Sequence, residues 1–98
     1  MPKGYWIAHA EVTDKEAWQR YVEAAAPAFR EHGGRFLARG GAATEAEGAL
    51  GRARHVVCEF PSYQAALDAY NSETYQAGRR HREGAGTVTI VLVEGLEG

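Results

Sequence analysis

The chain is poor in the features that usually announce a chemistry. It has a single cysteine, Cys58, in 98 residues, so no internal disulfide can form. A lone thiol inside an apolar, strand-like stretch reads as inert core rather than as a nucleophile, and a reducing compartment, the cytosol, fits best. Charge of one sign is also missing: 11 Lys and Arg against 13 Asp and Glu leave a net charge of −2. Nucleic acid or an anionic membrane is therefore not the expected partner, since both ask for a basic face. No apolar run approaches the ~20 residues of a membrane span. The Met1-Pro2-Lys3-Gly4 start leads straight into a strand pattern without the apolar stretch of a signal peptide, so no targeting segment is expected. His9, His32, His55 and His81 never stand four apart and join no Cys/His run, so no metal is expected. The glycine pairs Gly33-Gly34 and Gly40-Gly41 match neither a P-loop nor a dinucleotide fingerprint, and the serines lack a nucleophile-elbow context. No cofactor is implied.

What is present is the pattern of one α+β domain spanning residues 1–98, long enough for one modest core. Tyr5 to Val12 reads as a strand. Thr13 with Glu16 three residues on has the form of a capping box opening a helix from Asp14 to His32. The apolar positions Trp18, Tyr21, Val22, Ala25 and Phe29 make one stripe at helical spacing. Pro27 should kink or split that helix, and Gly33-Gly34 should end it. A second strand follows from Arg35 to Gly40, then a Gly- and Ala-rich connection from Gly41 to Gly51, then a strand from Arg54 to Phe60. Ser62 caps a second helix carrying Ala66, Leu67 and Tyr70. Asn71-Ser72 breaks it and caps a third, from Glu73 to about Glu83. Thr87 to Glu94 is a final β-branched strand. The order βαββαβ is the ferredoxin-like arrangement, with a four-stranded antiparallel sheet and the helices on one face.

Alternation divides each strand between two faces. One face is apolar throughout: Trp6, Ala8, Ala10 and Val12; Phe36 and Ala38; Val56, Cys58 and Phe60; Val88, Ile90 and Leu92. It should pack on the helix stripe. The other mixes Tyr5, Ile7, Leu37, Val57, Val91 and Val93 with His9, Glu11, Arg35, Arg39, His55, Glu59, Thr87 and Thr89. That is too much apolar surface for a face open to water, and the simplest cover is the same face of a second copy, giving a homodimer. In a regular hairpin with Leu37 opposite Val57, Arg35 faces Glu59 and Arg39 faces His55.

Two readings of those polar residues stand side by side. They can be a lattice that fixes dimer register, in which case Arg39→Ala and Glu59→Ala weaken the dimer. Or His9, Arg39, His55 and Glu59 can supply an acid–base pair and an anion clamp. In the second reading a small organic ligand lies in a pocket bounded by the first helix, the segment from Asn71 and Ser72 to Tyr75, and the sheet. His9 is then the base, Arg39 the anion anchor and Tyr75 a hydrogen-bond donor. The Arg79-Arg80-His81-Arg82 run is read as a solvated helix end.

Several stretches together resemble the domain-of-unknown-function 1330 family of small bacterial proteins. They are Gly4-Tyr5-Trp6-Ile7-Ala8, the run from Gly33 to Gly41, Glu59-Phe60-Pro61-Ser62, Ala65-Ala66-Leu67, Tyr70-Asn71-Ser72, Tyr75-Gln76, and the run from Val91 to Gly95. The resemblance implies the dimeric α+β barrel fold. It carries no activity; the wider superfamily includes cofactor-independent monooxygenases, isomerases of small ring compounds and haem enzymes. An oxygenase or isomerase acting on a small, partly apolar acid or phenol is thus the enzymatic alternative to a ligand-binding or structural module. The Ala- and Glu-rich stretch from Ala42 to Ala49 departs from relatives, which tend to carry an extended β-branched segment there.

Overall fold

The computed structural model describes residues 2–97. Four strands, β1 (Gly4–Val12), β2 (Arg35–Arg39), β3 (Arg54–Phe60) and β4 (Gly86–Glu94), form one antiparallel sheet in the order β2-β3-β1-β4. Helices α1 (Lys15–Glu31), α2 (Tyr63–Asn71) and α3 (Glu73–Arg79), the last running on into a 3-10 turn at Arg80–Arg82, cover one side of it. This is the ferredoxin-like βαββαβ fold expected from the sequence.

Local chemistry sets most boundaries where expected. Ser62 accepts the Ala65 N–H and opens α2; Ser72 accepts the Tyr75 N–H and opens α3. At the end of α1, Gly33 takes a φ of 77°, and the Gly33 and Gly34 amides donate to the Arg30 and Phe29 carbonyls. That pair of bonds is the Schellman closure. The connection from Gly41 to Arg52 has no regular structure.

Four expectations are corrected. The cap of α1 is Asp14, whose carboxylate accepts the Ala17 N–H at 3.1 Å, not Thr13. Thr13 stays outside because its N–H and that of Asp14 both donate to the Ala85 carbonyl. Pro27 does not split α1, which is held to the sheet on both sides of it by Ala25, Ala28 and Phe29. The third helix ends at Arg79 and tightens into the 3-10 turn rather than reaching Glu83.

The fourth correction concerns β2. Arg35 faces Glu59 and Phe36 faces Cys58, but Ala38 then faces Val57 and Arg39 faces Val56. One residue, Leu37, is extra: β2 carries a bulge. The bulge reverses the alternation that follows, so Ala38 leaves the helix side and Arg39 joins it.

The core gathers around Trp6 at the middle of β1. Its indole ring meets Phe29, Tyr75, Tyr70 and Phe60 with centroids 4.8 to 5.8 Å apart, and its Nε1–H donates to the Ala66 carbonyl at 2.9 Å. Edge-on packing, the geometry of the Phe29, Tyr70 and Tyr75 pairs, adds ~0.5–1.5 kcal/mol per pair beyond the area buried. Gly4 lets α2 approach β1: a Cβ there would lie 2.5 Å from the Ser62 carbonyl oxygen.

Candidate functional site

The apolar stripe of α1 does not close completely on the sheet. Between them lies a cavity of about 80 Å3, against the ~10–15 Å3 that one water needs. The register arranges the sheet beneath it in three rows, of which all but Leu92 and Val88 line the cavity. The innermost is Leu92, Trp6, Cys58 and Phe36; the next is Ile90, Ala8, Val56 and Arg39; the outermost is Val88, Ala10 and Arg54. Ala8 and Ala10, at the centre of the last two rows, are the small side chains that leave the space. Trp18, Tyr21, Val22, Ala25, Ala26 and Phe29 of α1 make the roof.

Polar groups are few. The Arg39 guanidinium lies over the Phe36 ring at 4.3 Å, a cation–π contact that holds it on the helix side. The Arg54 guanidinium rests against Gly40, whose φ of 71° and missing Cβ admit it. The Trp18 Nε1–H and the Arg54 Nε–H are buried and have no hydrogen-bond partner among the described residues. A buried donor without an acceptor costs ~1–3 kcal/mol, and two of the residues that line this cavity carry one, as Arg52 and Arg82 do elsewhere. No carboxylate lines the cavity. Burial pushes the Cys58 thiol up to about 12, so it is neither nucleophile nor base there.

Behind the cavity, Tyr75 is fully buried and its hydroxyl pairs with that of Tyr21 at 2.8 Å. Burial foremost, then Tyr75 beside it, holds the Tyr21 phenol well above its ordinary value. The half-buried Arg82 guanidinium stacks on Tyr21 at 5.1 Å.

The residues singled out in the sequence divide between the two sides of the sheet. His9 and His55 face each other across β1 and β3, with their Nδ1 atoms 2.8 Å apart, on the side away from the helices. One ring must donate and the other accept. Arg52 reaches over this face to the Thr89 hydroxyl at 3.5 Å. Glu59 lies two rows away, opposite Tyr5, and pairs with Lys3 at 3.1 Å. Arg39 is on the helix side and does not join His9, His55 or Glu59. Tyr75 is locked behind Tyr21 and does not line the cavity, nor do Asn71, which is exposed, and Ser72, which is occupied in capping α3. The pocket bounded by Asn71 to Tyr75 is thus replaced by one between α1 and the middle of the sheet. A second, more open hollow of about 350 Å3 lies under the 43–50 stretch, with His55 at its edge.

Of the aromatic residues that the sequence offers for a pocket between helices and sheet, Trp6, Trp18, Tyr21 and Phe29 line the cavity, whereas sequence reasoning missed Arg54. Arg54 shares the parity of Val56, Cys58 and Phe60, and a charged group in that series was the available signal.

No curated protein matches the chain. Among solved structures, a protein of unknown function from Rhodopseudomonas palustris superposes with a TM-score of 0.77 at 16% identity, covering 99% of this chain and 85% of that one. SnoaB, a cofactor-independent oxygenase from Streptomyces nogalater, superposes with a TM-score of 0.64 at 11% identity, covering 100% and 97%. A Pseudomonas aeruginosa protein gives 0.55 at 19% identity, covering 98% and 95%. Identities this low carry the fold and no more. Residues 3–96 match a sequence family as well, so the chain belongs to the family described as a domain of unknown function, DUF1330.

Proposed function

We propose that this protein binds a small, mostly apolar organic molecule in the cavity between α1 and the sheet, and does so as a homodimer joined through the opposite face of that sheet. One observation carries the first half: a cavity walled by aromatic and aliphatic groups is lined by Trp18 and Arg54, whose buried Nε N–H groups find no acceptor among the described residues. The second half rests on Leu37, Val91 and Val93, which are 47, 52 and 41% exposed and share the outer face with Tyr5, Ile7 and Val57. Aliphatic surface gathered on one face asks for a cover, and two-fold pairing is its commonest form.

Binding is favoured over catalysis by what the cavity contains. The histidine pair that could move protons is on the far side of the sheet, and the thiol inside is neutral. The enzymatic alternative draws support from the likeness in fold to a cofactor-independent oxygenase. It needs a substrate acidic enough to arrive as its own anion, with the arginines stabilising the charge.

Native mass spectrometry after incubation with a small-fragment library tests the reading. One adduct per chain is expected, lost in Ala8→Leu. The three added carbons of that variant fill existing space, so its stability should change by less than ~1.5 kcal/mol. Adducts that persist in a folded Ala8→Leu would move the site elsewhere.

A further inference from the structure

The cavity has a direction. Its inner end is Trp6, Phe36 and Phe29, with Cys58 between the strands. Toward its outer end stand Arg54 and Trp18, while Arg39, rooted in the middle row, lays its guanidinium back over Phe36. The three line one cavity for reasons written into the chain. The bulge at Leu37 turns Arg39 inward, one row from Arg54, while Trp18 lies in the first turn of α1, which starts beyond the Val12 end of β1. Neither arginine has a carboxylate partner, the one ion pair among the described residues being Lys3–Glu59. Two guanidinium groups without counter-charges line an otherwise apolar cavity, with unpaired N–H groups on the same lining residues, a set of donors that suits a planar two-oxygen anion.

Resting on the cavity reading above, we propose that the ligand is an aromatic monocarboxylate of about one ring. Its ring lies in the slot over Ala8 and Ala10, and its carboxylate is held at the mouth by Arg39, Arg54 and the Trp18 Nε1–H. A phosphate dianion fits less well, because the aromatic interior has nothing to solvate a second charge. A neutral ring leaves the buried donors unpaired.

The chain has two tryptophans, and both line the cavity, so its intrinsic fluorescence reports on this site. The probes are benzoate and its neutral counterpart benzamide, titrated into the whole protein. Benzoate is expected to bind about tenfold more tightly than benzamide, the size of one charge-assisted hydrogen bond. Arg39→Gln and Arg54→Gln should each bring benzoate close to benzamide. Benzamide binding as tightly as benzoate overturns the anion clamp and leaves the cavity reading standing; so does a preference for benzoate that survives both substitutions. Failure of both probes to bind overturns the proposal and the cavity reading together. Arg54 packs on Gly40, so thermal melting checks that Arg54→Gln folds; if it does not, Arg39→Gln, an exposed position, decides alone.

Discussion

Cys58 lies between Trp6 on β1 and Phe36 on β2, with no exposed surface. Burial raises its thiol because a thiolate there would give up its hydration. A raised acid group stabilises the folded state fully below its unfolded value and less as pH climbs through the folded one. Cys58 should therefore leave stability flat up to about pH 8.5 and lower it progressively from there toward about 12. Chemical melts between pH 7 and 10.5, compared with Cys58→Ala, check the sign: the wild type should lose more stability over that span than the variant. The native thiol should also react with Ellman's reagent many times more slowly than the unfolded one.

At the scale of elements, most of the fold was legible because the marks were local. Ser62 and Ser72 are good caps at real breaks, Gly33-Gly34 closes α1 with two backbone bonds, and alternation named the core side of β1, β3 and β4 correctly. The bulge was not legible. Leu37 and Ala38 carry no glycine or proline to mark it, and an extra residue shows only when its partner strand is known. That one residue moved Arg39 from the histidine face to the cavity, so the candidate site read from alternation mixed groups that lie on opposite sides of the sheet. The family resemblance was legible because its stretches are spread over nearly the whole chain. The contact between β1 and α2 offers a test at this scale. A Cβ at Gly4 meets three backbone atoms within 2.8 Å, which cannot yield as a flexible side chain would. Gly4→Ala should cost ~1–3 kcal/mol in equilibrium unfolding. A stability equal to wild type would mean that α2 is free to shift.

For the molecule as a whole, the sheet works with both sides. The inner side is core at one end and cavity at the other; the outer side holds the His9–His55 pair inside an aliphatic surface. Because Arg39 belongs to the inner side, Arg39→Ala should not weaken the proposed dimer. Glu59, paired with Lys3 near the surface, should contribute under ~1 kcal/mol to it. Light scattering at micromolar concentration should give twice the chain mass of 10.7 kDa. Leu37→Glu combined with Val91→Lys should give the single-chain mass with the helical spectrum retained. A wild type that is monomeric there would leave the outer face as a bare surface and remove the dimer.

No helix among the described residues is long and apolar enough to cross a membrane. The central claim is that a ligand enters on the helix side of the sheet and meets the orphaned donors there. The two indole N–H resonances in a 15N-correlated NMR spectrum test it most directly. Trp6 already donates to Ala66, whereas Trp18 has no acceptor. On adding benzoate, the Trp18 indole signal should move downfield and that of Trp6 by far less. An unmoved Trp18, with shifts instead at the amides of Ile7, Val57 and Val91, would contradict the account.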